Sequence, residues 1–323
     1  MKLNKVRLTL AAAALTASGS AAYAECGNVT ITEMNWASAA VVTSISKFLM
    51  EQGYGCTVTT VPSATVTSIT SVAETNEPDI VTELWLSGVP AYPELEAAGK
   101  ITTLTDVLSD GGVDAWWVPQ YLVDAHPELA TMEGILANPD LVGGRFHNCP
   151  DGWGCKVTNG HLAQAFDLEG NGIEVFSHGS GETLAAAIAG AYENKEPWFG
   201  YYWAPTSVLG KYPMVQIDLG PYDAAIHDCN AAEECATPGR SSYPPAEVVT
   251  AVTTDFETRQ PEIAALMSKV SFTNEQMSAV LAWQEDNNAS SEETAVHFLT
   301  TYKDVWGSWL NDAAREKLSA LLQ

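Results

Sequence analysis

Between positions 29 and 85, segments whose apolar residues have the spacing of a strand alternate with segments whose apolar residues have the spacing of a helix. The runs VTITEMNW, CTVTTVP and PDIVTELW read as strands, and ASAAVVTSISKFLMEQG places its apolar residues on one helical face, with a further helical stretch before the third strand. Strands that alternate with helices predict βαβ units and a mostly parallel sheet.

The same alternation returns later in the chain. GETLAAAIAGAYENK predicts a helix, and WFGYYW and PMVQIDL predict strands. The β-like segments 116–123 and 243–254 bracket this part and predict two crossing strands. Amphipathic spacing predicts the final helices, over Glu262–Met267 and Asn274–Gln284.

We therefore predict an α/β fold with two mostly parallel lobes joined by a two-strand hinge. A chain of this length is typical of a protein with two hydrophobic cores rather than one. Lobe 1 is expected to comprise residues 25–121 and 247–323, and lobe 2 residues 122–246. The hinge is expected near Gln120–Val123 and Val248–Val252.

The first 24 residues read as a secretory signal peptide. Lys2, Lys5 and Arg7 precede a short apolar run, and Ala22-Tyr23-Ala24 forms an A-x-A-like cleavage site before Glu25. The apolar run is too short to span a bilayer. We expect an exported, periplasmic protein.

All six cysteines follow this segment, so an oxidising compartment favours disulfides. Proximity along the chain predicts the pairs Cys26–Cys56, Cys149–Cys155 and Cys229–Cys235, although six cysteines allow 15 connectivities. Zinc is the competing interpretation. The spacers of common structural zinc sites and histidines at ligand spacing are missing, so we predict no metal.

The chain is strongly acidic. Its formal net charge is −25, and removal of the three basic signal residues makes it −28. Such a surface repels nucleic acid and anionic lipid and attracts cations. Solubility of an exported protein explains most of this acidity, and a cationic ligand is compatible with it.

Four of the ten tryptophans stand where a ligand site is expected. Trp36, Trp85 and Trp203 end predicted strands, and ligands of open parallel sheets bind beyond the carboxyl ends of strands. Trp153 tips the turn CPDGWGC. The other six, at 116, 117, 198, 283, 306 and 309, are predicted to pack in the core.

A shared aromatic pocket suits one chemistry in particular. A quaternary ammonium group cannot donate ordinary N–H hydrogen bonds, so a protein binds it through the faces of aromatic rings. The sequence therefore predicts a binding protein for a methylated cation.

Other functional classes fit less well. A secreted hydrolase would match the signal peptide and disulfides, yet the sequence has neither G-x-S-x-G nor H-E-x-x-H. The serine of SHGSG is expected to cap a helix, and DLEGNG, which resembles a calcium loop, is expected to be a turn. A structural adhesion protein would not need four tryptophans at strand ends. We predict no enzymatic activity and no cofactor.

These motifs resemble the glycine betaine/choline-type substrate-binding proteins of ABC transporters, the OpuAC class, over essentially the whole mature chain. The resemblance implies the two-lobed periplasmic binding protein fold of type II. CPDGWGC looks like the ligand loop of the family and implies Trp153 as a pocket wall. It also implies that the Gly154 and Cys155 amides bind a ligand carboxylate.

The remaining pocket residues follow from three further motifs. YYWAP is similar to the box strand of the second lobe and implies Trp203, ELWLSGVP implies Trp85, and MNWAS looks like a fourth aromatic position, Trp36. Val89 stands where one branch of the family has a carboxylate-contacting histidine.

The resemblance implies capture of a quaternary ammonium osmolyte, with glycine betaine or proline betaine first. Choline, trimethylamine N-oxide and dimethylsulfoniopropionate stay open as ligands. The expected partner is the membrane permease of an ABC importer, and we expect a monomer.

Overall fold

A computed structural model describes residues 26–323. The predicted signal peptide lies outside the described residues. Across those residues the chain forms ten strands, in order β1 Gly27–Met34, β2 Cys56–Ser63, β3 Ile80–Trp85, β4 Ile101–Asp106, β5 Val113–Pro119, β6 Arg145–Asn148, β7 Glu174–Ser177, β8 Gly200–Ala204, β9 Met214–Gln216 and β10 Val248–Thr253.

Sixteen α-helices lie in the same part of the chain. They are α1 Ala37–Phe48, α2 Thr65–Thr75, α3 Tyr92–Ala97, α4 Gln120–Ala125, α5 Met132–Ala137, α6 Gly154–Ala165, α7 Gly181–Asn194, α8 Ser207–Lys211, α9 Ala224–Ala231, α10 Thr254–Arg259, α11 Pro261–Met267, α12 Asn274–Asn287, α13 Ser291–Thr301, α14 Lys303–Trp309, α15 Asp312–Lys317 and α16 Ser319–Leu322. A π-helical turn, Leu49–Tyr54, extends α1, and a 3₁₀ turn, Leu86–Gly88, follows β3.

The strands form two five-stranded sheets, with the orders β2-β1-β3-β10-β4 and β7-β6-β8-β5-β9. Sheet 1 has parallel β1–β2 and β1–β3 pairs, and β10 runs antiparallel to β3 and β4. Sheet 2 repeats this plan, since β6 is parallel to β7 and β8 whereas β5 is antiparallel to β8 and β9. The predicted pair of mostly parallel α/β lobes is confirmed.

The crossing between lobes differs from the expected one. β5 lies in sheet 2, although the boundary at residue 121 assigned it to lobe 1. The predicted hinge segment Gln120–Val123 lies in helix α4, and Val248–Val252 lies inside β10 of sheet 1. The sequence pattern hid this because the mostly apolar segment 116–123 spans both the end of β5 and the start of α4.

The chain crosses in two neighbouring connections, 107–112 and 244–247, which meet as an antiparallel bridge. Gly112 N donates to Ala246 O at 2.8 Å, and Ala246 N donates to Gly112 O at 3.1 Å. Gly111 has a φ of +71° there, a conformation that glycine adopts without strain. We propose that the lobes divide at these connections.

In lobe 1, C-terminal helices pack against α1. Val41, Val42 and Ile45 of α1 are fully buried, at the spacing expected of a helix that packs along one face. Tyr54, at the end of the π-helical turn, accepts a hydrogen bond from Asn311 N at 3.2 Å. The C-terminal helices therefore return to lobe 1.

Five of the six tryptophans predicted to pack in the core are buried or partly buried in it. Trp116 and Trp198 are enclosed in lobe 2, Trp306 and Trp309 in lobe 1, and Trp117 packs against the lobe 2 core. The prediction was wrong for Trp283, which is half-buried on α12 and stacks on His297 with ring centroids 4.0 Å apart.

All three predicted disulfides are present. Cys26–Cys56 joins the starts of β1 and β2, Cys149–Cys155 joins the end of β6 to the first turn of α6, and Cys229–Cys235 links α9 to the loop after it. Ser180 caps α7 by accepting a hydrogen bond from Thr183 N at 3.3 Å, as expected for SHGSG.

Candidate functional site

Four tryptophans from both lobes converge on one pocket between the two sheets. Trp36 and Trp85 come from lobe 1, and Trp153 and Trp203 from lobe 2. The Trp36 and Trp153 rings meet edge-to-face with centroids 5.3 Å apart, and Trp153 and Trp203 meet likewise at 5.1 Å. We call these four residues the tryptophan box.

The position of Trp153 is fixed by its loop. Trp153 is the N-cap residue of α6, and the Cys149–Cys155 disulfide closes the loop around it. Across the cleft, Trp153 Nε1 donates a hydrogen bond of 2.7 Å to Asn35 Oδ1. A large ring at the tip of a short loop is therefore held from both lobes.

The start of α6 supplies backbone donors to the same pocket. Gly154 and Cys155 line it, and they occupy the first turn of a helix, where N–H groups have no partner within the helix. The approach is close, because a Cβ on Gly154 would lie 2.6 Å from Gly88 O of lobe 1. Glycine at both positions lets the two backbones meet at the pocket wall.

Trp85 rests against the crossing between the lobes. A Cβ on Gly112 would lie 2.3 Å from Trp85 Cζ3, so the ring packs directly on the glycine backbone. This contact joins a wall of the pocket to the connection between the lobes.

Asp114, a buried carboxyl group that the sequence analysis missed, also lines the pocket. Ser87 Oγ of lobe 1 donates to Asp114 Oδ2 at 2.7 Å, and the Tyr201 hydroxyl donates to Oδ1. Burial raises the pKa of Asp114, and the hydrogen bonds from Tyr201 and Ser87 oppose that rise. An aspartate at the start of a strongly apolar strand was the available signal, since such groups are seldom buried without a partner or a function.

Glu83 is a second buried carboxyl group that the sequence analysis missed. It lies behind the pocket, where Oε1 accepts hydrogen bonds of 2.6 Å from both Trp36 Nε1 and Ser38 Oγ. Its position inside the apolar run DIVTELW was the signal, because a charged residue is rare inside a buried strand.

Several contacts across the cleft hold the lobes together. His227 Nε2 lies 3.1 Å from Ser87 O, so Ser87 touches lobe 2 through both its side chain and its backbone. At the other rim, Lys211 Nζ of α8 pairs with Glu285 Oε1 of α12 at 2.8 Å. Trp36, Trp153 and Trp203 are at most 6% exposed, so the structure has the form of a closed cleft.

Val89 is buried after the 3₁₀ turn, where its N–H donates to Leu86 O at 3.0 Å. It is not among the residues that line the pocket.

Within residues 26–323, no cluster of three or more His, Cys, Asp or Glu side chains is arranged to hold a metal ion. No helix in that range is long and apolar enough to cross a membrane.

A match to a known protein family identifies the kind of protein that contains this cleft. The family described as the substrate-binding domain of the ABC-type glycine betaine transport system matches residues 27–301. The chain belongs to this family. Its members are solute-binding domains of ABC transporters, in agreement with the resemblance inferred from the sequence motifs.

One related protein is named for a different ligand. The trimethylamine N-oxide-binding protein of Pelagibacter ubique (strain HTCC1062) is 25% identical over 207 residues, which are 62% of this chain and 63% of that protein. The match therefore spans less than two thirds of the relative.

Solved structures share the fold of this family member. A glycine betaine/L-proline-binding protein from Borrelia burgdorferi has a TM-score of 0.73 at 15% identity, covering 92% of this chain and 100% of that one. A choline-binding protein in complex with choline has a TM-score of 0.72 at 17% identity, with 92% and 98% covered. The closed, liganded lactococcal glycine betaine-binding protein has a TM-score of 0.67 at 18% identity, with 88% and 100% covered.

Proposed function

We propose that this protein is the extracytoplasmic solute-binding component of an ABC importer and captures a methylated ammonium osmolyte between its lobes. The observation that carries the proposal is the tryptophan box, in which the buried Trp153 ring packs edge-to-face against the buried rings of both Trp36 and Trp203. Trp85 completes the lining from the hinge side.

The interaction energies are adequate for this task. One desolvated cation–π contact contributes ~2 kcal/mol, so three or four contribute ~6–8 kcal/mol before ordering costs. Micromolar affinity corresponds to ~8 kcal/mol. The rings of the box therefore supply a large part of such an affinity, and burial of the methyl groups adds to it.

Glycine betaine is the first candidate ligand, and proline betaine shares its chemistry. The Gly154 and Cys155 N–H groups at the start of α6 provide donors for a carboxylate, and the helix dipole favours an anion there. The trimethylammonium end would lie among the tryptophan rings. Choline and dimethylsulfoniopropionate present the same kind of methylated cation.

Trimethylamine N-oxide is the second candidate, and Asp114 favours it. Burial raises the pKa of this carboxyl group, and the neutral form that burial favours would donate to the single oxygen of an N-oxide. An ionised Asp114 would instead repel a ligand carboxylate. The similarity to the trimethylamine N-oxide-binding protein points in the same direction.

The remaining parts of the proposal concern the cell. We infer that the mature protein is a periplasmic monomer, exported by the predicted signal peptide, that delivers its ligand to the membrane permease of the importer. No chemical conversion of the ligand is expected, because capture and release require only binding. The acidic surface makes nucleic acid an unsuitable partner.

Isothermal titration of the mature protein with glycine betaine, choline, trimethylamine N-oxide and dimethylsulfoniopropionate in parallel tests the proposal. Tightest binding of glycine betaine would support the first candidate, and tightest binding of trimethylamine N-oxide the second. Recovery of each ligand unchanged after incubation would support a binder over an enzyme. Failure to bind any methylated compound would contradict the proposal.

A further inference from the structure

The Glu83 carboxylate is buried directly behind the tryptophan box. Oε1 accepts hydrogen bonds from Trp36 and Ser38, both at 2.6 Å. Oε2 is buried and has no hydrogen-bond partner among the described residues. A carboxylate that is only half satisfied in the interior lowers the stability of a fold, so its presence needs another explanation.

The backbone at Glu83 is also unusual. Leu84 pairs with Val249 and Val81 with Ala251, so two residues of β3, Thr82 and Glu83, stand opposite the single Thr250 of β10. Glu83 has a φ of +50°, in the left-handed region that a glutamate seldom adopts. A bulge of this kind re-aims a side chain, and here that side chain bonds to Trp36.

We propose that Glu83 is the positioning residue and the counter-charge of the tryptophan box. The inference rests on the proposed capture of a methylated ammonium compound. The carboxylate fixes the Trp36 ring through its indole N–H. It also places a negative charge behind the ring whose face or edge meets the cation.

Two physical effects make the ionised form the better binder. An indole N–H that donates to a carboxylate gains electron density on its ring, which strengthens the attraction for a cation. The charge itself also acts through the protein interior, where screening is weaker than in water. Together we expect a roughly tenfold higher affinity when Glu83 is ionised than when it is neutral.

The pKa of Glu83 lies at a pH at which ligand binding can be measured. Burial raises its pKa from 4.5 to about 7, and the side chains of Ser38, Trp36 and Trp85 oppose only part of that rise. Because a bound cation favours the ionised form, ligand binding should release a proton near neutral pH. Affinity should therefore decrease as the pH falls through about 7.

The surroundings of Glu83 contain few groups that could obscure this behaviour. Within residues 26–323 the Trp36 indole and the Ser38 hydroxyl donate to it, and the Trp85 side chain also acts to lower its pKa. On β10, the Thr250 hydroxyl pairs with Thr82 at 2.8 Å. The titratable group on the facing side of the pocket is Asp114, with the Tyr201 hydroxyl bonded to it and Tyr243 near it.

Tetramethylammonium is a suitable probe, because it keeps its charge at every pH and has no polar end to contact Asp114. We would measure its affinity, and that of glycine betaine, between about pH 5.5 and about pH 8.5 for the wild type and Glu83→Gln. The wild type should gain roughly tenfold in affinity over this range. Glu83→Gln should stay near the acidic value of the wild type throughout.

Thermal unfolding without ligand gives a second readout. The pKa of Glu83 is raised in the folded state, so its ionisation lowers stability progressively as the pH rises from 4.5 to about 7. Glu83→Gln should therefore melt above the wild type at alkaline pH while it binds the probe more weakly. A purely structural role would lower stability and affinity together. Asp114→Asn should keep the rise of tetramethylammonium affinity with pH, and Glu182→Gln, which removes an exposed charge on α7, should change neither this affinity nor its pH dependence.

Proton release by the wild type keeps the test decisive if Glu83→Gln does not fold. Titrations near neutral pH in two buffers of different ionisation enthalpy should show release when tetramethylammonium binds, in Asp114→Asn as well. Binding with no proton release, or a Glu83→Gln affinity equal to that of the wild type at every pH, would overturn this inference and leave the proposed function standing. If no methylated compound bound at any pH, the proposed function would itself fail.

Discussion

Trp153 and Asn35 are joined across the cleft, since the indole Nε1 of lobe 2 donates a 2.7 Å hydrogen bond to the side-chain oxygen of lobe 1. Asn35 follows β1 and directly precedes Trp36, so one short segment supplies a box ring and the acceptor that orients another ring. Lobe 1 thus helps to hold the orientation of Trp153, which its own loop positions in lobe 2.

Removal of this acceptor should weaken ligand binding more than folding. Asn35→Ala leaves a buried indole N–H unpaired in the closed form only, which costs about 1–3 kcal/mol there. The affinity should fall, with a much smaller change in the melting temperature of the free protein. Asn194→Ala is the matched control, because its amide bonds to Gly190 O of its own helix on the exposed surface. Equal affinity for Asn35→Ala and the wild type would show that the Trp153 orientation is set by lobe 2 alone.

Two disulfides join cysteines six positions apart, and their removal should affect stability alike but ligand affinity differently. Cys149–Cys155 and Cys229–Cys235 close loops of equal length, so each should contribute about 2 kcal/mol to stability in the chain-entropy model. Paired Cys→Ser replacement of either one should lower the melting temperature. Only loss of Cys149–Cys155, which surrounds Trp153, should also lower ligand affinity strongly, as measured by titration calorimetry. An unchanged affinity in that variant would rule out preorganisation by the disulfide.

Single tryptophan replacements should fall into three groups. Ala in place of Trp36, Trp85, Trp153 or Trp203 should cost on the order of 2 kcal/mol of binding, roughly thirtyfold in affinity. Trp306→Ala should instead cost about 3–5 kcal/mol of stability, because it truncates a fully buried ring. The measurements are ligand titration and chemical denaturation of the same samples. Similar affinity losses at Trp306 and at the box positions would point to general unfolding and argue against the box.

Trp283 forms the third group. It stacks on His297 at the surface of α12 and is half-buried. Trp283→Ala should change affinity little and stability by less than Trp306→Ala. This residue shows a limit of sequence patterns, because a tryptophan on the mixed face of an amphipathic helix gives no sign of whether it packs inward or stacks on a neighbour.

Strand-end positions made Trp36, Trp85 and Trp203 of the tryptophan box predictable, because parallel sheets bring the carboxyl ends of their strands to one edge. The polar half of the site was not predictable in that way. Asp114 and Ser87 lie in different lobes, 27 residues apart in the chain, and bond to each other across the cleft. Glu83 reaches Trp36 because a bulge turns it, and a bulge depends on how β3 pairs with a strand that lies far along the chain.

Closure itself is the remaining prediction. Each lobe contributes two rings of the box, so a small cation is surrounded only when the lobes meet, and ligand should favour the closed form. The hydrogen bond between Trp153 and Asn35 is one of several contacts across the cleft. Ser87 bonds to Asp114 and lies beside His227, and Lys211 pairs with Glu285 at the exposed rim, where an ion pair adds little.

Small-angle scattering of the mature protein with and without saturating ligand measures this change. The radius of gyration should decrease when ligand binds, since we expect the free protein to open about the bridge between Gly112 and Ala246. Ser87→Ala removes the hydrogen bond to Asp114 and should bind more weakly, while its free form should scatter like the free wild type. An unchanged radius of gyration, in a sample shown by calorimetry to be fully bound, would indicate a preformed pocket. The cleft would then have no shape change for a permease to recognise.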